Sequence, residues 1–193
     1  MEVTLPANQG TLSYRIATED DRQLLLDLRE ECGWGKEKIN AYLGNPDRPF
    51  CIFYLDKHTV VGMGGWIIHN PNDLEAANRE KGSVYISSLF IRHAYQRKSI
   101  GTKAMDLLER TCEDEFGAKI ITLDTTAYHV TIDEDDFRIE HPDIRGRSIA
   151  FYERRGYKEY REPKPTFPQA SFPDSDRLLT AVFMSKPATT LSQ

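Results

Sequence analysis

The sequence predicts an α+β fold: a mixed, largely antiparallel central sheet of about seven strands flanked by about four helices. Three observations lead there. Stretches of period-two or continuous apolar character outnumber stretches of helical period. Many neighbouring stretches are joined by turns too short for a crossover, which favours antiparallel pairing over a doubly wound parallel sheet. The helical stretches each stop at a glycine, the residue that tolerates the left-handed conformation beyond a helix end.

In chain order, Thr11 to Ile16 alternates, with Leu12, Tyr14 and Ile16 apolar, as a half-buried strand does. Thr18-Glu19-Asp20-Asp21 reads as a capping box, with Asp21 able to reach back to the Thr18 amide. Leu24, Leu25, Leu28 and Cys32 follow at helical spacing and Gly33 closes that helix. Lys36 to Leu43 is a second, short helix before Gly44 and Pro46. Phe50 to Leu55 and Val60 to Ile68 form a hairpin around Asp56-Lys57-His58. Gly62, Gly64 and Gly65 in its second strand suggest a bulge or a close backbone approach. After a polar loop from Asn70 to Gly82, Val84 to Ile91 is the next strand. Gly101 to Phe116 is the clearest helix, with Ala104, Leu108, Cys112 and Phe116 on one stripe. Lys119 to Thr125 is a strand, and Tyr128 to Arg145 is expected to be a long functional loop. Ser148 to Arg155 is a helix ended by Gly156, Tyr157 to Arg161 a strand, Pro163 to Asp176 a loop, and Leu178 to Met184 the last strand.

Composition bounds the function. The 193 residues suit a single domain over 1–193, with a core over about 11–186 and a frayed tail. A net charge of −5 argues against a general nucleic-acid binder. There is no apolar run long enough to span a bilayer and no signal-peptide pattern in Met1 to Pro6, so no membrane association and a cytoplasmic location are expected. Cys32, Cys51 and Cys112 match no zinc pattern or disulfide framework, and the five His form no ligand cluster, so no metal is expected.

Two segments carry chemistry. Val84 to Ile91 runs into Tyr95-Gln96-Arg97-Lys98-Ser99-Ile100-Gly101-Thr102, and a long helix starts at once. Successive amides in such a turn, with the positive end of a helix dipole behind them, suit a phosphate group. An ordinary surface turn is the other reading. The second segment, Ser148 to Tyr157, is by itself an amphipathic helix whose aromatic pair suits the core as readily as a site.

Taken together, these segments resemble the GNAT superfamily of acyl-CoA-dependent N-acetyltransferases. The family's phosphate turn reads Arg/Gln-x-x-Gly-x-Gly/Ala after a strand ending Leu-x-Val. Here Leu89-Phe90-Ile91 precedes Gln96-Arg97-Lys98-Ser99-Ile100-Gly101. The family's later helix often reads Phe/Leu-Tyr-Glu-Lys-x-Gly-Phe, matched by Phe151-Tyr152-Glu153-Arg154-Arg155-Gly156-Tyr157. With the order of elements, the resemblance covers Thr11 to Met184.

The resemblance implies acetyl-CoA as co-substrate. Gln96, Arg97, Lys98, Ser99, Ile100, Gly101 and Thr102 would wrap the pyrophosphate, and the edge of Leu89, Phe90 and Ile91 would pair with pantetheine like an added strand. An amide near Phe90 or Ile91 would polarise the acetyl carbonyl. Tyr152 would protonate the leaving thiolate, and Ser148, Phe151 and Arg154 would complete the cofactor contacts. Two departures stand out. Arg97 and Ser99 replace glycines of the pattern. Tyr85 and Ser87 occupy the strand positions where the family often carries Glu or His, so a water chain or a residue elsewhere must take the proton, or the substrate is a weaker base such as an aryl amine. Asp124 is the first candidate, followed by His129, Glu30 and Glu31; a solvated or turn-bonding carboxylate is the other reading of Asp124.

Tyr85, Ser87, Trp34 and Glu30 are expected at the acceptor site, although Trp34 and Trp66 also suit the core. The acidic run Asp133-Glu134-Asp135-Asp136 suits a cationic acceptor or plain solvation. The expected function is acetyl transfer to an amine, preferably of a small molecule, by direct attack in a ternary complex, by a monomer or homodimer. A protein amine as acceptor, or a non-catalytic acyl-CoA-binding module on the same fold, remain as alternatives.

Overall fold

The computed structural model of the protein describes residues 2–4, 11–135, 137–168 and 178–189. The chain runs β1 (Glu2–Thr4), β2 (Thr11–Ile16), α1 (Arg22–Glu31), α2 (Glu37–Tyr42), β3 (Phe50–Leu55), β4 (Thr59–Ile67) and β5 (Ser83–Ile91). It continues as α3 (Ile100–Asp114), β6 (Ile120–Thr126), β7 (Tyr128–Ile132), β8 (Arg138–Arg145), α4 (Arg147–Arg154), β9 (Lys158–Phe167) and β10 (Leu179–Pro187). Eight strands form one sheet in the order β1-β2-β3-β4-β5-β6-β10-β9, and β7 pairs with β8 apart from it. Every neighbouring pair is antiparallel except β5 with β6, which α3 joins as a crossover.

The expected mixed, largely antiparallel sheet with four helices is what forms. Three boundaries differ. The three residues of β1 extend the sheet beside β2, a strand too short to show a period. Tyr128 to Arg145, read as a loop, is the hairpin β7–β8. Its polar pairs such as Thr131 with Ile139 and Val130 with Glu140 bury no continuous face, so no apolar alternation marks it. β9 runs on to Phe167 through Pro163 and Pro165, where a loop was expected. It is the edge of the sheet, where a residue without an amide donor is tolerated. The rest of that expected loop from residue 169, Asp136 of the acidic run, and the tail after residue 189 lie outside the described residues.

The sheet is covered on both faces. On β3 the alternation is direct: Phe50 and Ile52 pack with Leu25, Leu28 and Ile39 of α1 and α2, while Cys51 and Phe53 pack beneath α3. Met105, Leu107 and Leu108 of α3 are fully buried, each stabilising by roughly 1.5–3 kcal/mol relative to exposure. Trp66, 1% exposed, belongs to this core and donates its indole N–H to the Leu108 carbonyl at 3.1 Å. The capping interaction at Thr18 forms: Asp21 accepts from the Thr18 amide at 2.9 Å, and Arg15 grips the same carboxylate at 2.6 Å.

α4 is fastened to α3 by charge. Arg155, at its C-terminal end, reaches Asp106 and Glu109 at 2.7 Å each, and Lys186 of β10 meets Glu109 at 2.7 Å. Glu109 is buried, so it needs both cations. Arg155→Ala is expected to destabilise the fold by about 3 kcal/mol, the low end for a broken buried pair because Lys186 remains. The shift of the urea unfolding midpoint measures it, and a shift below half a kcal/mol would show the network to be inert.

Candidate functional site

β5 and β6 pair only at Ser83–Ile120, Val84–Ile121 and Tyr85–Thr122. Beyond that point β5 stays with β4, while β6 follows β10 along its whole length. A wedge opens between them. The turning point is a bulge on β5: Met63 opposes Phe90 and Gly65 opposes Ser87, so Ser88 and Leu89 together face Gly64. Ser88 takes φ +57°, and its hydroxyl is buried without a partner among the described residues. On β4, a Cβ at Gly62 would lie 2.2 Å from the Phe90 carbonyl, which is the close approach expected of that glycine.

The bulge resets which groups face the wedge. The Arg92 amide donates to Val61 of β4 at 2.9 Å. By alternation the Ile91 amide and carbonyl point the other way. The carbonyl is taken by Gln96 Nε2 at 2.8 Å, and the amide is left facing the open edge.

At the end of the wedge lies the turn into α3. Arg97 and Ser99 adopt φ of +61° and +58°. Each left-handed non-glycine residue costs roughly 1–3 kcal/mol, a strain typical of ligand-binding turns. Among the described residues, the amides of Arg97, Lys98, Ser99, Ile100, Gly101 and Thr102 find no backbone acceptor. They form a concave row of donors backed by the N-terminus of a 15-residue helix. A Cβ at Gly101 would come no nearer than 3.9 Å to another group, so nothing inside the protein requires glycine there. Helical glycine costs about 1 kcal/mol against alanine, and the space in front of Gly101 is where a bulky anion would rest. Lys98 folds back to donate to the Ala94 carbonyl at 3.2 Å, over the Tyr95 ring.

On the sheet face that carries α1 and α2, a cavity of about 230 Å³ adjoins the wedge. Tyr85 and Asp124 line it from the two diverging strands, with Lys38 from α2 and Arg161 from β9. The Tyr85 phenol lies close enough to the Asp124 carboxylate to act on its ionisation. Burial raises the pKa of Asp124 above the ordinary carboxylate value, opposed by Tyr85 and by the charges of Lys38 and Arg161. From the opposite face, α4 brings Tyr152 close enough to feel that carboxylate. Burial first, and the Asp124 charge second, push the Tyr152 phenol up to about 12. The structure therefore gathers Tyr152, Asp124 and Tyr85, which are 28 and 39 residues apart along the chain.

Other sequence-predicted residues sit elsewhere. Glu30 is exposed and paired with Lys36 at 2.7 Å. Glu31 binds the Arg92 guanidinium at 2.8 Å and the His93 amide at 3.0 Å, which ties α1 to the strand end. Trp34 is half-buried under the Arg29 guanidinium, at 4.9 Å. Ser87 is buried one pleat beyond Tyr85, while Phe90 belongs to the α1–α2 core and Leu89 leans on the α3 core. Phe151 packs on the α3 core edge-on to Tyr152, whereas Ser148 and Arg154 are exposed on α4. His129 stacks on His141 in the hairpin. Asp133 caps its own turn, accepting from the Asp135 and Phe137 amides, and the acidic run does not line the cavity. Burial raises the Cys51 and Cys112 thiols, and Cys32 to about 11, so thiolates are scarce at neutral pH.

Lys38, Asp73, Arg161 and Ser88 were missed. The first three come from an expected helix, loop and strand in which no motif marks a site. Ser88 did leave a trace, since the doublet Ser87-Ser88 breaks the alternation of its strand.

Among the described residues no group of His, Cys, Asp or Glu is placed to hold a metal, and no helix is long and apolar enough to cross a membrane. A search of curated proteins returns no significant match. Solved structures with the same fold include a spermidine N-acetyltransferase from Vibrio cholerae in complex with CoA and spermine, at 13% identity and TM-score 0.63, covering 92% of this chain and 95% of that one. A ribosomal-protein alanine N-acetyltransferase from Escherichia coli matches at 13% identity and TM-score 0.62, over 94% and 97%. An aminoglycoside 6'-N-acetyltransferase complexed with coenzyme A matches at 17% identity and TM-score 0.60, over 94% and 99%. The model of the Acetyltransferase (GNAT) family matches residues 14–131, which span β2 to β7 with the wedge and the turn into α3, and the chain belongs to that family.

Proposed function

We propose that the protein transfers the acetyl group of acetyl-CoA to the nitrogen of a small amine, with Asp124 as the general base and Tyr152 as the general acid. The observation that carries the reading is that Asp124 lines the cavity beside the wedge while Tyr152, on the other face of the sheet, lies near enough to feel its charge. The turn amides from Arg97 to Thr102 suit the pyrophosphate of the co-substrate, and the free edge of β5 suits its pantetheine arm. When bound, the co-substrate supplies an acetyl thioester.

The chain's own residues then divide the proton traffic. Asp124 takes the proton from the acceptor ammonium, and its raised pKa makes it a stronger base than a solvated carboxylate. The Ile91 amide is placed to donate to the carbonyl oxygen as charge grows there. As the N–C bond forms and the C–S bond breaks, Tyr152 gives its proton to the sulfur; the second proton, which the nitrogen sheds on becoming an amide, restores the Tyr152 phenol, and the proton on Asp124 passes to solvent. Its phenol stays protonated until about pH 12, so it is ready as an acid throughout the neutral range. No step needs a protein thiolate.

Initial rates of thiol release from acetyl-CoA across a panel of amines test the reading directly. Tyr152→Phe is expected to lower kcat by about 10²-fold with acetyl-CoA binding nearly intact; an unchanged kcat with chemistry rate-limiting removes its role. Asp124→Asn is expected to lower kcat/KM by about 10²–10⁴-fold and to erase the acidic limb of the pH profile, because no carboxylate remains to be protonated as pH falls. A profile of unaltered shape and height would place the base elsewhere. Gly101→Glu puts bulk and negative charge before the turn without an internal clash. It is expected to abolish CoA binding by calorimetry, and wild-type affinity would mean that the phosphates lie elsewhere.

A further inference from the structure

The cavity beside the wedge carries the opposite charge balance from the rest of the chain. The whole sequence has net charge −5, yet the cavity is lined by Lys38, Arg48, Arg161 and Lys164 against only Asp73 and Asp124. Arg161 is already answered. It holds Asp73 at 2.7 Å, reaches Glu75 at 3.5 Å, and lies over the Phe183 ring at 3.8 Å. That leaves Asp124 sharing the cavity with three cations that, among the described residues, no carboxylate pairs at hydrogen-bond distance.

One of the three is held in place and a second is half-buried. The Arg48 guanidinium stacks on the Tyr42 ring at 4.2 Å and donates to Asn70 Oδ1 at 3.0 Å. Both contacts orient the fork without neutralising it, which leaves the donors suited to a planar anion. Among the described residues Lys38, half-buried on α2, makes no ion pair or hydrogen bond; burial lowers its pKa, and the charge of Asp124 opposes that. Removing an ammonium from water without an ion pair is unfavourable, so an anion bound beside it is stabilised. The acidic residues that would attract a polycation, Asp133 to Asp135, lie on the hairpin tip and do not line this cavity. The volume, about 230 Å³, falls below the roughly 300–1,000 Å³ of drug-sized pockets, so the occupant is small.

We infer that the acceptor is a small amino acid, its amine directed at Asp124 and its acidic group held by Arg48 and Lys38. The inference rests on the acetyl-transfer reading for the role of Asp124, but not for the anion site itself. It implies selectivity against diamines, whose second ammonium would face the unpaired cations.

The test compares L-methionine and L-glutamate with their α-amides and with 1,4-diaminobutane, following thiol release from acetyl-CoA. The amino acids are expected to have kcat/KM about tenfold to a hundredfold above the amides, mainly through KM, as for one charge-assisted contact. Arg48→Met and Lys38→Met are expected to erase that preference, and Lys38→Arg to keep it. Amides or the diamine turned over as well as the amino acids would overturn the inference and leave acetyl transfer standing. If no amine releases thiol, calorimetry with CoA present compares N-acetyl-L-methionine with N-acetyl-L-methioninamide. A preference for the carboxylate that disappears in Arg48→Met would uphold the anion site while the transfer reading fails. Equal binding of the two would overturn it.

Discussion

β5 and β6 begin as parallel neighbours and part after Tyr85 and Thr122. Each has a competing partner on its other side. β4 holds β5 to Ile91, and β10 holds β6 from Ile120 to Thr126. A backbone edge with unpaired amides is normally a liability in a sheet. Here it is the place where an extended ligand can add itself. The same divergence lets side chains from opposite faces meet, because no strand fills the gap between Tyr152 and Asp124. It also aims the end of β5 at the turn that opens α3, so the phosphate-facing amides lie in line with the free edge.

Charge and hydrogen bonds add to the apolar packing of the parts around the wedge. Glu31 joins the end of α1 to Arg92 and His93 at the end of β5. Arg138 of the hairpin donates to the carbonyls of Cys32 and Gly33, where a cation also suits the C-terminal end of α1. Glu140 accepts from the amide and hydroxyl of Thr180 at 2.6 and 2.9 Å, which pins the hairpin to β10. These contacts tie α1, the hairpin and β10 to the sheet, while the lining of the cavity itself is largely polar. Directional polar contacts can position a ligand's charged groups, which an apolar wall cannot do.

Local signals carried the framework well. The stripe of Ala104, Leu108 and Cys112 is the buried face of α3, and the alternation of β2 matches its half-buried place in the sheet. The turn from Gln96 to Gly101 and the helix from Phe151 to Gly156 were readable because consecutive residues build them. The hairpin of β7 and β8 was not readable, since strands that face solvent on both sides need no period. The length of β9 was obscured by Pro163 and Pro165, which mean a loop only where both edges of a strand must pair. The positive φ of Ser88 has only the broken alternation beside it as a trace.

Residue order was enough to read the fold class, the family and the two segments, Gln96 to Thr102 and Ser148 to Tyr157, that carry the family's pattern, because each depends on a short run of residues and the period of its burial. Tertiary structure alone decided which carboxylate among Glu30, Glu31 and Asp124 stands in the cavity. Glu30 and Glu31 are committed to Lys36 and Arg92, and only Asp124 lines the wall between diverging strands. It also decided the sign of the acceptor site. Net charge is a sum over the chain, whereas a ligand senses the few groups that folding brings within a Debye length and partly out of water. Lys38, Arg48, Lys164 and Asp124 come from four separate segments, and no spacing along the chain records that they share one cavity.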